Sequence, residues 1–137
     1  MAIAKWAAPA TRSANIAGTS LDSLANGSES SVITVDNSTN RAYYAAITIK
    51  LGSINPSAGG SITLRVTTSD GTDVSDRIGG DLYTAPLASG SGAKIVIIPM
   101  VRLYPFSLRY SIINNSGVAL AASGNAIFET DYNEDVS

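Results

Sequence analysis

The sequence contains no cysteine and no histidine. Without cysteine the chain cannot form disulfide bonds, bind a metal through thiolates or use a thiol as a nucleophile. Without histidine it lacks the commonest general base of enzymes and a usual nitrogen ligand of zinc and iron. We therefore expect no enzyme activity, no catalytic residue, no metal and no cofactor. Core packing, sheet hydrogen bonds or assembly with other copies must supply the stability.

Charged side chains are also scarce. They make up 15% of the 137 residues, and the formal net charge is −2, whereas about a quarter of the residues in an average protein are charged. The nine lysine and arginine residues stand singly along the chain, but nucleic acids are bound by clustered basic side chains. We expect no nucleic-acid partner. The weakly charged surface suits contact with other protein, and it equally suits a secreted β-protein.

Long apolar runs are missing as well. No stretch approaches the roughly 18 apolar residues that suggest a membrane span, so no membrane partner is expected. The first residues, MAIAKWAAPATRSA, hold no uninterrupted apolar segment of the kind that signal peptides contain. We expect the chain to be made and first folded in a cytoplasm.

Apolar and polar residues alternate along much of the chain, which is the pattern of strands with one buried face. The clearest example follows Pro105, where Phe106, Leu108, Tyr110 and Ile112 alternate with polar residues. Proline cannot donate a sheet hydrogen bond, so Pro105 marks the start of this strand. Similar patterns predict six further strands: Ser31–Val35, Tyr43–Leu51, Ser61–Ser69, Leu82–Leu87, Ala93–Met100 and Ala126–Tyr132.

The predicted fold is all-β, a single antiparallel β-sandwich or jelly-roll-like domain of about seven to eight strands. Short strands separated by turn residues, with almost no helix, are typical of this class. We expect the core to bring Ile47, Ile49, Leu64 and Val66 against the apolar face of the Phe106–Ile112 strand.

The sequence also suggests how the domain begins and ends. Residues 1–20 are expected to form an extended N-terminal arm, residues 21–132 the sandwich domain, and residues 133–137 a frayed C-terminal tail. One helical turn is predicted near Leu21–Ala25, because Leu21 and Leu24 lie three residues apart and Gly27 can end the turn.

The loop Asp70–Asp76, with the sequence DGTDVSD, is the only cluster with the character of a metal site. A calcium loop of the EF-hand type needs oxygen ligands at positions 1, 3 and 5 and glycine at position 6. Counted from Asp70, these last two positions hold Val74 and Ser75, so we predict a solvated turn without metal. Two carboxylate pairs remain for acid–base chemistry, and nothing in the sequence places either in an apolar cleft: Asp73 with Asp76, and Glu129 with Asp131.

The segment Ile95–Ile98 breaks the alternation, because it is apolar on both faces of the predicted strand. Such a strand is covered on both sides, either within its own fold or by a partner. Trp6 stands alone in the arm, where it either packs on its own domain or reaches a neighbouring subunit. The alternative to a partner is that the first twenty residues fold back over the strand. We predict a homo-oligomer, with a trimer favoured, whose interface uses Trp6, Ile95, Val96, Ile97, Ile98 and Met100.

Four short segments resemble a family of small virion proteins of tailed bacteriophages: SLDSLANG at Ser20–Gly27, DNSTNRAYYA at Asp36–Ala45, SDGTD at Ser69–Asp73, and IINNSGVALAASGN at Ile112–Asn125. The resemblance implies a β-sandwich subunit that decorates or cements the capsid surface by binding the major capsid protein. It also implies a location on the virion after synthesis in the cytoplasm of the bacterial host. No active-site residues come with it, and the residues before Ser20 and after Glu129 have no counterpart in the family.

Two hypotheses for the function remain. The first is a capsid decoration or cement protein, for which a trimer suits the threefold positions of an icosahedral shell. The second is a phage tail or fibre domain, or another β-sandwich module, that recognises host-surface glycan through aromatic side chains. Packing in a core or an interface is the competing role for these aromatic side chains. The candidates are Tyr43, Tyr44, Tyr83, Tyr104 and Tyr132.

Overall fold

The computed structural model describes residues 3–76 and 80–136 of the chain. In these residues the fold is all-β, with nine strands in three antiparallel sheets, and no helix is long and apolar enough to cross a membrane. The predicted all-β, sandwich-like class is confirmed. The strands are β1 (Ala4–Trp6), β2 (Ile33–Asp36), β3 (Tyr44–Ile54), β4 (Ser61–Thr67), β5 (Asp81–Pro86), β6 (Gly92–Arg102), β7 (Ser107–Asn115), β8 (Ala126–Tyr132) and β9 (Glu134–Val136).

Two of the sheets enclose the core. The first sheet has the strand order β2-β7-β4-β5, and the second sheet has the order β6-β3-β8. Every second side chain of the central strands is buried, as the alternation predicted, and each large aliphatic side chain buried in this way stabilises the fold by about 1.5–3 kcal/mol. The predicted core residues of β3, β4 and β7 belong to one buried cluster: Ile47, Ile49, Leu64, Val66, Leu108, Tyr110 and Ile112.

Phe106 is the exception to this predicted core. It precedes β7, which begins at Ser107, and its side chain is half-buried outside the core cluster. Its ring lies over Gly71, where an added Cβ atom would come within 3.1 Å of the Phe106 Cδ1 atom. The prediction that Phe106 faces the core is therefore wrong, because the residue lies outside the regular pleat of the strand.

The opposite face of β4 is less exposed than expected. Thr63 and Thr67 are buried, and between them the Nε atom of Arg65 donates a hydrogen bond to Oε1 of Glu29 at 2.8 Å. The same oxygen accepts a hydrogen bond from the Ser111 hydroxyl group at 2.6 Å. The backbone around Glu29 pairs with the edge of β7 through a bridge to Ile113, and the Glu29 side chain reaches across the outer face of the first sheet.

The helical turn predicted near Leu21–Ala25 is wrong. The residues form successive turns instead, with hydrogen bonds between Ser20 and Ala17, Asp22 and Thr19, and Leu24 and Leu21. Ser23 has a φ angle of +56°, which interrupts a right-handed helix. The Ser23 N–H group donates to the Ala121 carbonyl group at 3.0 Å, so a distant segment holds the turn.

The N-terminal arm lies along the edge of β8. Its backbone N–H groups donate to β8 and to the residue that follows it, at distances of 2.8–2.9 Å: Ala7 to Asn133, Ala10 to Asp131, Ser13 to Glu129, and Ile16 to Ile127. Beyond Asn133 the chain pairs with the arm as β9 and β1, where we expected a frayed tail. This pairing adds β1 and β9 to the seven strands predicted from the alternation, which gives the nine strands observed in the described residues. Met1, Ala2 and Ser137, at the outer ends of the expected arm and tail, lie outside the described residues.

The strand β6 forms one edge of the second sheet, opposite β8. Val96 and Ile98 point into the core, whereas Ile95 and Ile97 are 62% and 59% exposed. The arm therefore does not cover this strand. Val96 and Ile98 pack within their own fold, so their predicted place in an interface is wrong, whereas Ile95, Ile97 and Met100 are exposed on this strand.

Candidate functional site

The outward side of the second sheet carries several of the exposed large hydrophobic side chains, including Ile95 and Ile97. The register places Ile97 beside Thr48, whose other neighbour is Phe128, and places Ile95 beside Lys50. Met100 is also exposed and lies where the pairing of β3 with β6 is irregular, between Ile98 and Val101. We call Ile95, Ile97 and Met100 the β6 patch.

An aromatic cluster lies at one end of this surface. The ring of Trp6 meets Tyr44 and Tyr132 edge-on, with centroid distances of 5.8 Å and 5.4 Å, and the two tyrosine rings stack at 5.6 Å. The Tyr132 hydroxyl group donates to the Pro99 carbonyl group at 2.7 Å. Trp6 packs on its own domain in this way and still remains 55% exposed, so it is available to a partner as well.

A shallow groove of about 470 Å³ separates the arm from β6. Its walls are almost entirely apolar, and the aromatic cluster forms one end of it. We call it the arm groove; it connects Trp6 with the β6 patch, because Met100 belongs to both. The residues that line it are Trp6, Ala7, Pro9, Ala46, Pro99, Met100, Thr130 and Tyr132.

A second groove, of about 480 Å³, lies where β3 begins and β6 ends, and we call it the arginine groove. Its backbone is held by hydrogen bonds from Leu103 N–H to the Tyr43 carbonyl group at 2.8 Å and from Tyr43 N–H to Asn133 Oδ1 at 2.7 Å. The Arg102 guanidinium group lies 6.0 Å from the centre of the Tyr43 ring. The groove is lined by Arg41, Ala42, Tyr43, Arg102, Leu103, Tyr104, Pro105, Asn133 and Glu134.

Nothing in the sequence indicates that Arg41 and Arg102 line the same groove. They are far apart in the chain, and each stands as an isolated basic residue. Only the pairing of β3 with β6, which sets Tyr44 beside Arg102, brings them to one groove. Of the tyrosines predicted as platforms, Tyr43 and Tyr104 line this groove, and Tyr44 and Tyr132 belong to the aromatic cluster. Tyr83 is half-buried on β5.

The carboxylates of Glu129 and Asp131, predicted as a pair, lie on the inward side of β8. Glu129 is buried and accepts a hydrogen bond from the Tyr110 hydroxyl group at 2.5 Å. Burial raises the pKa of both carboxyl groups above their usual values. Neither residue lines the arm groove or the arginine groove, so the structure gives this pair a place in the core and no place at either candidate site.

The acidic loop after β4 is organised by its own backbone. The Oδ1 atom of Asp70 accepts hydrogen bonds from the N–H groups of Thr72 at 2.9 Å and Asp73 at 2.8 Å, and these bonds lower the pKa of Asp70. The loop closes through a bridge between Ser69 and Val74. Within residues 3–76 and 80–136, no group of three or more acidic side chains is arranged to hold a metal ion.

No protein-family model and no curated protein matches this chain. The surfaces described above show which residues are available to a partner, and a functional proposal has to be argued from them.

Proposed function

We propose that the chain is a non-enzymatic structural subunit of a tailed-phage virion that decorates or cements the outer surface of the head. It binds the major capsid protein as a homo-oligomer, with a trimer favoured, and stabilises the shell. The observation that carries this proposal is the β6 patch: apolar side chains stand exposed in a row on an edge strand, next to the arm groove and Trp6.

The β6 patch is best explained by contact with protein. Ile95 and Ile97 point the same way from a strand of 11 residues that has a neighbour in its sheet on one side only. A long apolar edge strand left open to solvent promotes aggregation, so proteins protect such edges or cover them. A contact with another subunit supplies that cover and removes the exposed apolar area from water.

The patch and the arm groove suit two different contacts. The patch and the edge of β6 form a surface that a second copy can match, because interfaces between subunits are poor in charge at their centre. The arm groove and Trp6 lie beside it and are suited to the shell or to the arm of a neighbour. The low total charge of the chain fits both contacts.

Self-association is tested by light scattering at tens of micromolar protein, with the wild type compared with the double variant Ile95→Thr/Ile97→Thr. We expect the wild type to be an oligomer and the double variant to be a monomer that keeps its melting temperature. The matched control is Leu82→Thr, because Leu82 is 56% exposed on the first sheet, outside the patch. This variant is expected to remain an oligomer.

The second part of the test uses particles of a phage whose genome encodes the chain. We expect the purified protein to bind empty capsids made without it, and labelled antibody to decorate the heads in electron micrographs. A strict monomer that does not bind empty capsids would overturn the proposal. Label confined to the tail would overturn the decoration role and favour the tail or fibre hypothesis.

A further inference from the structure

We propose that the arginine groove binds an acidic sugar, a pyranose ring that carries a carboxylate. The proposal does not depend on the decoration role, because the groove lies apart from the β6 patch. The groove combines two arginine side chains outside any ion pair of the described residues, a fixed backbone and an exposed aromatic ring; the Arg102 guanidinium group lies between the Tyr43 and Tyr44 rings, at 6.0 Å and 5.6 Å.

The positive charge comes from Arg41 and Arg102, both of which are exposed. In the described part of the chain neither forms an ion pair; the single ion pair there is between Arg65 and Glu29. The Nε atom of Arg41 donates to the Ser38 carbonyl group at 3.1 Å, which leaves its two terminal nitrogen atoms for a ligand. A planar guanidinium group binds a carboxylate through two parallel hydrogen bonds, so these arginines suit that anion.

The backbone under the groove is held in an unusual shape. Arg41 has a φ angle of +50°, a conformation that costs free energy for residues other than glycine. The buried side chain of Asn37 maintains it by bonding both backbone polar groups of Ala42 at 3.0 Å and the Tyr104 carbonyl group at 2.8 Å. Strained backbone is concentrated at binding and active sites. The Arg41 backbone is therefore held in a fixed position even when no ligand is bound.

The apolar wall suits the carbon face of a sugar ring. Tyr43 is 55% exposed beside Leu103 and Pro105, and an aromatic ring gives a rigid apolar surface with a polar group at its tip. On the opposite side Asn133 keeps its amide N–H groups free of the bond to Tyr43, which uses Oδ1. The Glu134 carboxylate also lines the groove and can accept hydrogen bonds from sugar hydroxyl groups. Its charge opposes any anion, and it opposes a phosphate with two negative charges more strongly than a carboxylate with one.

Binding is tested by saturation-transfer NMR and calorimetry on the full chain. The probes are galacturonic acid and N-acetylneuraminic acid, with galactose as the neutral counterpart and acetate as the anion without a ring. We expect both acids to bind at least about tenfold more tightly than galactose and acetate, since a charged hydrogen-bonded pair is worth about tenfold or more in affinity.

The variants test which residues are responsible. Arg102→Gln and Tyr43→Ser should each weaken binding of the acids about tenfold or more, with unchanged melting temperatures because both residues are exposed. Arg12→Gln is the matched control, because the Arg12 guanidinium group lies over another ring of the same sheet, that of Phe128, at 3.9 Å and outside the groove. It should bind as the wild type does.

Several results would overturn the proposal. One is equal affinity for galactose or for acetate, which would indicate a general polar surface or an anion site. Another is a loss in Arg12→Gln as large as that in Arg102→Gln. The third is absence of binding of either acid at millimolar concentration. A failed decoration test with positive sugar binding would leave this site intact, so the two proposals can be told apart.

Discussion

The Tyr110 hydroxyl group donates a hydrogen bond to Oε1 of Glu129 at 2.5 Å, and this bond joins β7 of the first sheet to β8 of the second sheet across the core. Both side chains are buried. Burial raises the pKa of Glu129 above its usual value of 4.5; the hydrogen bond from Tyr110 acts in the opposite direction, and the nearby charge of Asp131 raises the pKa further. Burial also raises the pKa of Asp131.

These raised pKa values predict that the protein becomes more stable as the pH falls from neutral towards the usual pKa values of the two carboxyl groups, 4.5 for Glu129 and 3.8 for Asp131. Between the usual pKa of each carboxyl group and its raised value, the folded state binds more protons than the unfolded state. Stability therefore falls as the pH rises through this interval. Below about pH 4 the trend reverses, because the pKa values of Asp36 and Asp70 are lowered by their turn hydrogen bonds and protonation removes that contribution. Melting temperatures measured from pH 3 to 8 check this.

The variant Glu129→Gln tests how much of the change of melting temperature with pH comes from this one residue. Glutamine keeps an oxygen that can accept the Tyr110 hydrogen bond, but it does not titrate. We expect the rise in melting temperature between pH 7 and 5 to become smaller, with the remainder due to Asp131. Glu134→Gln, at an exposed position on β9, is the control and should keep the wild-type slope. An unchanged slope in Glu129→Gln would contradict the prediction.

The core of the first sheet gives a second prediction. Leu108 is 1% exposed and belongs to the central cluster, so Leu108→Ala should lower the free energy of unfolding by roughly 2–5 kcal/mol. Leu82→Ala, at an exposed position, should change it by less than about 0.5 kcal/mol. Both are measured by urea unfolding. A loss at Leu108 below about half a kcal/mol would contradict the buried position of this face, since a shift of one residue exposes it.

The central strands were predictable because their signal is local. Alternation is a property of neighbouring residues, so Ile47 and Ile49 on β3 and Leu108 on β7 could be assigned to the core from the sequence alone. The helical turn predicted from Leu21 and Leu24 was wrong because the signal was only local. A spacing of three residues fits successive turns as well as a helix. The left-handed conformation of Ser23, which decides between them, depends on a hydrogen bond to distant Ala121.

Features that depend on pairing between distant strands could not be predicted from the sequence. Ile95 and Val96 are equally apolar, and only the register of β6 with β3 decides that Val96 points into the core and Ile95 into solvent. The pairing of β1 with β9 joins the two ends of the chain, and the arginine groove joins the start of β3 to the end of β6. No local sequence pattern contains either relationship. The candidate sites therefore became visible only with the fold.

The acidic loop gives a third prediction: EDTA leaves the melting temperature unchanged, and added calcium does not raise it. The Asp70 carboxylate already accepts two backbone hydrogen bonds, from Thr72 and Asp73. These bonds hold the turn in its conformation without a cation. Thermal unfolding is followed in buffer with EDTA and again after calcium is added in excess. A fall of several degrees with EDTA that calcium restores would contradict the prediction and place a cation at this loop.

The fourth prediction uses Trp6, the single tryptophan of the chain, as a fluorescent reporter of assembly. Trp6 is more than half exposed and borders the arm groove, which lies beside the β6 patch. If subunits associate over this surface, assembly moves the indole ring from water to an apolar contact. We therefore expect the emission maximum to shift to shorter wavelength, and quenching by acrylamide to weaken, as the protein concentration is raised through the association range.

The double variant Ile95→Thr/Ile97→Thr is the control for this measurement. It leaves the contacts of Trp6 with Tyr44 and Tyr132 in place but removes the apolar patch through which we propose that subunits associate, so its emission should resemble that of the dilute wild type at every concentration. Because the chain has one tryptophan and six tyrosines, excitation at the long-wavelength edge of the indole band, where tyrosine does not absorb, assigns the shift to Trp6. An oligomer by light scattering whose Trp6 emission does not change would contradict the prediction and place the interface away from Trp6.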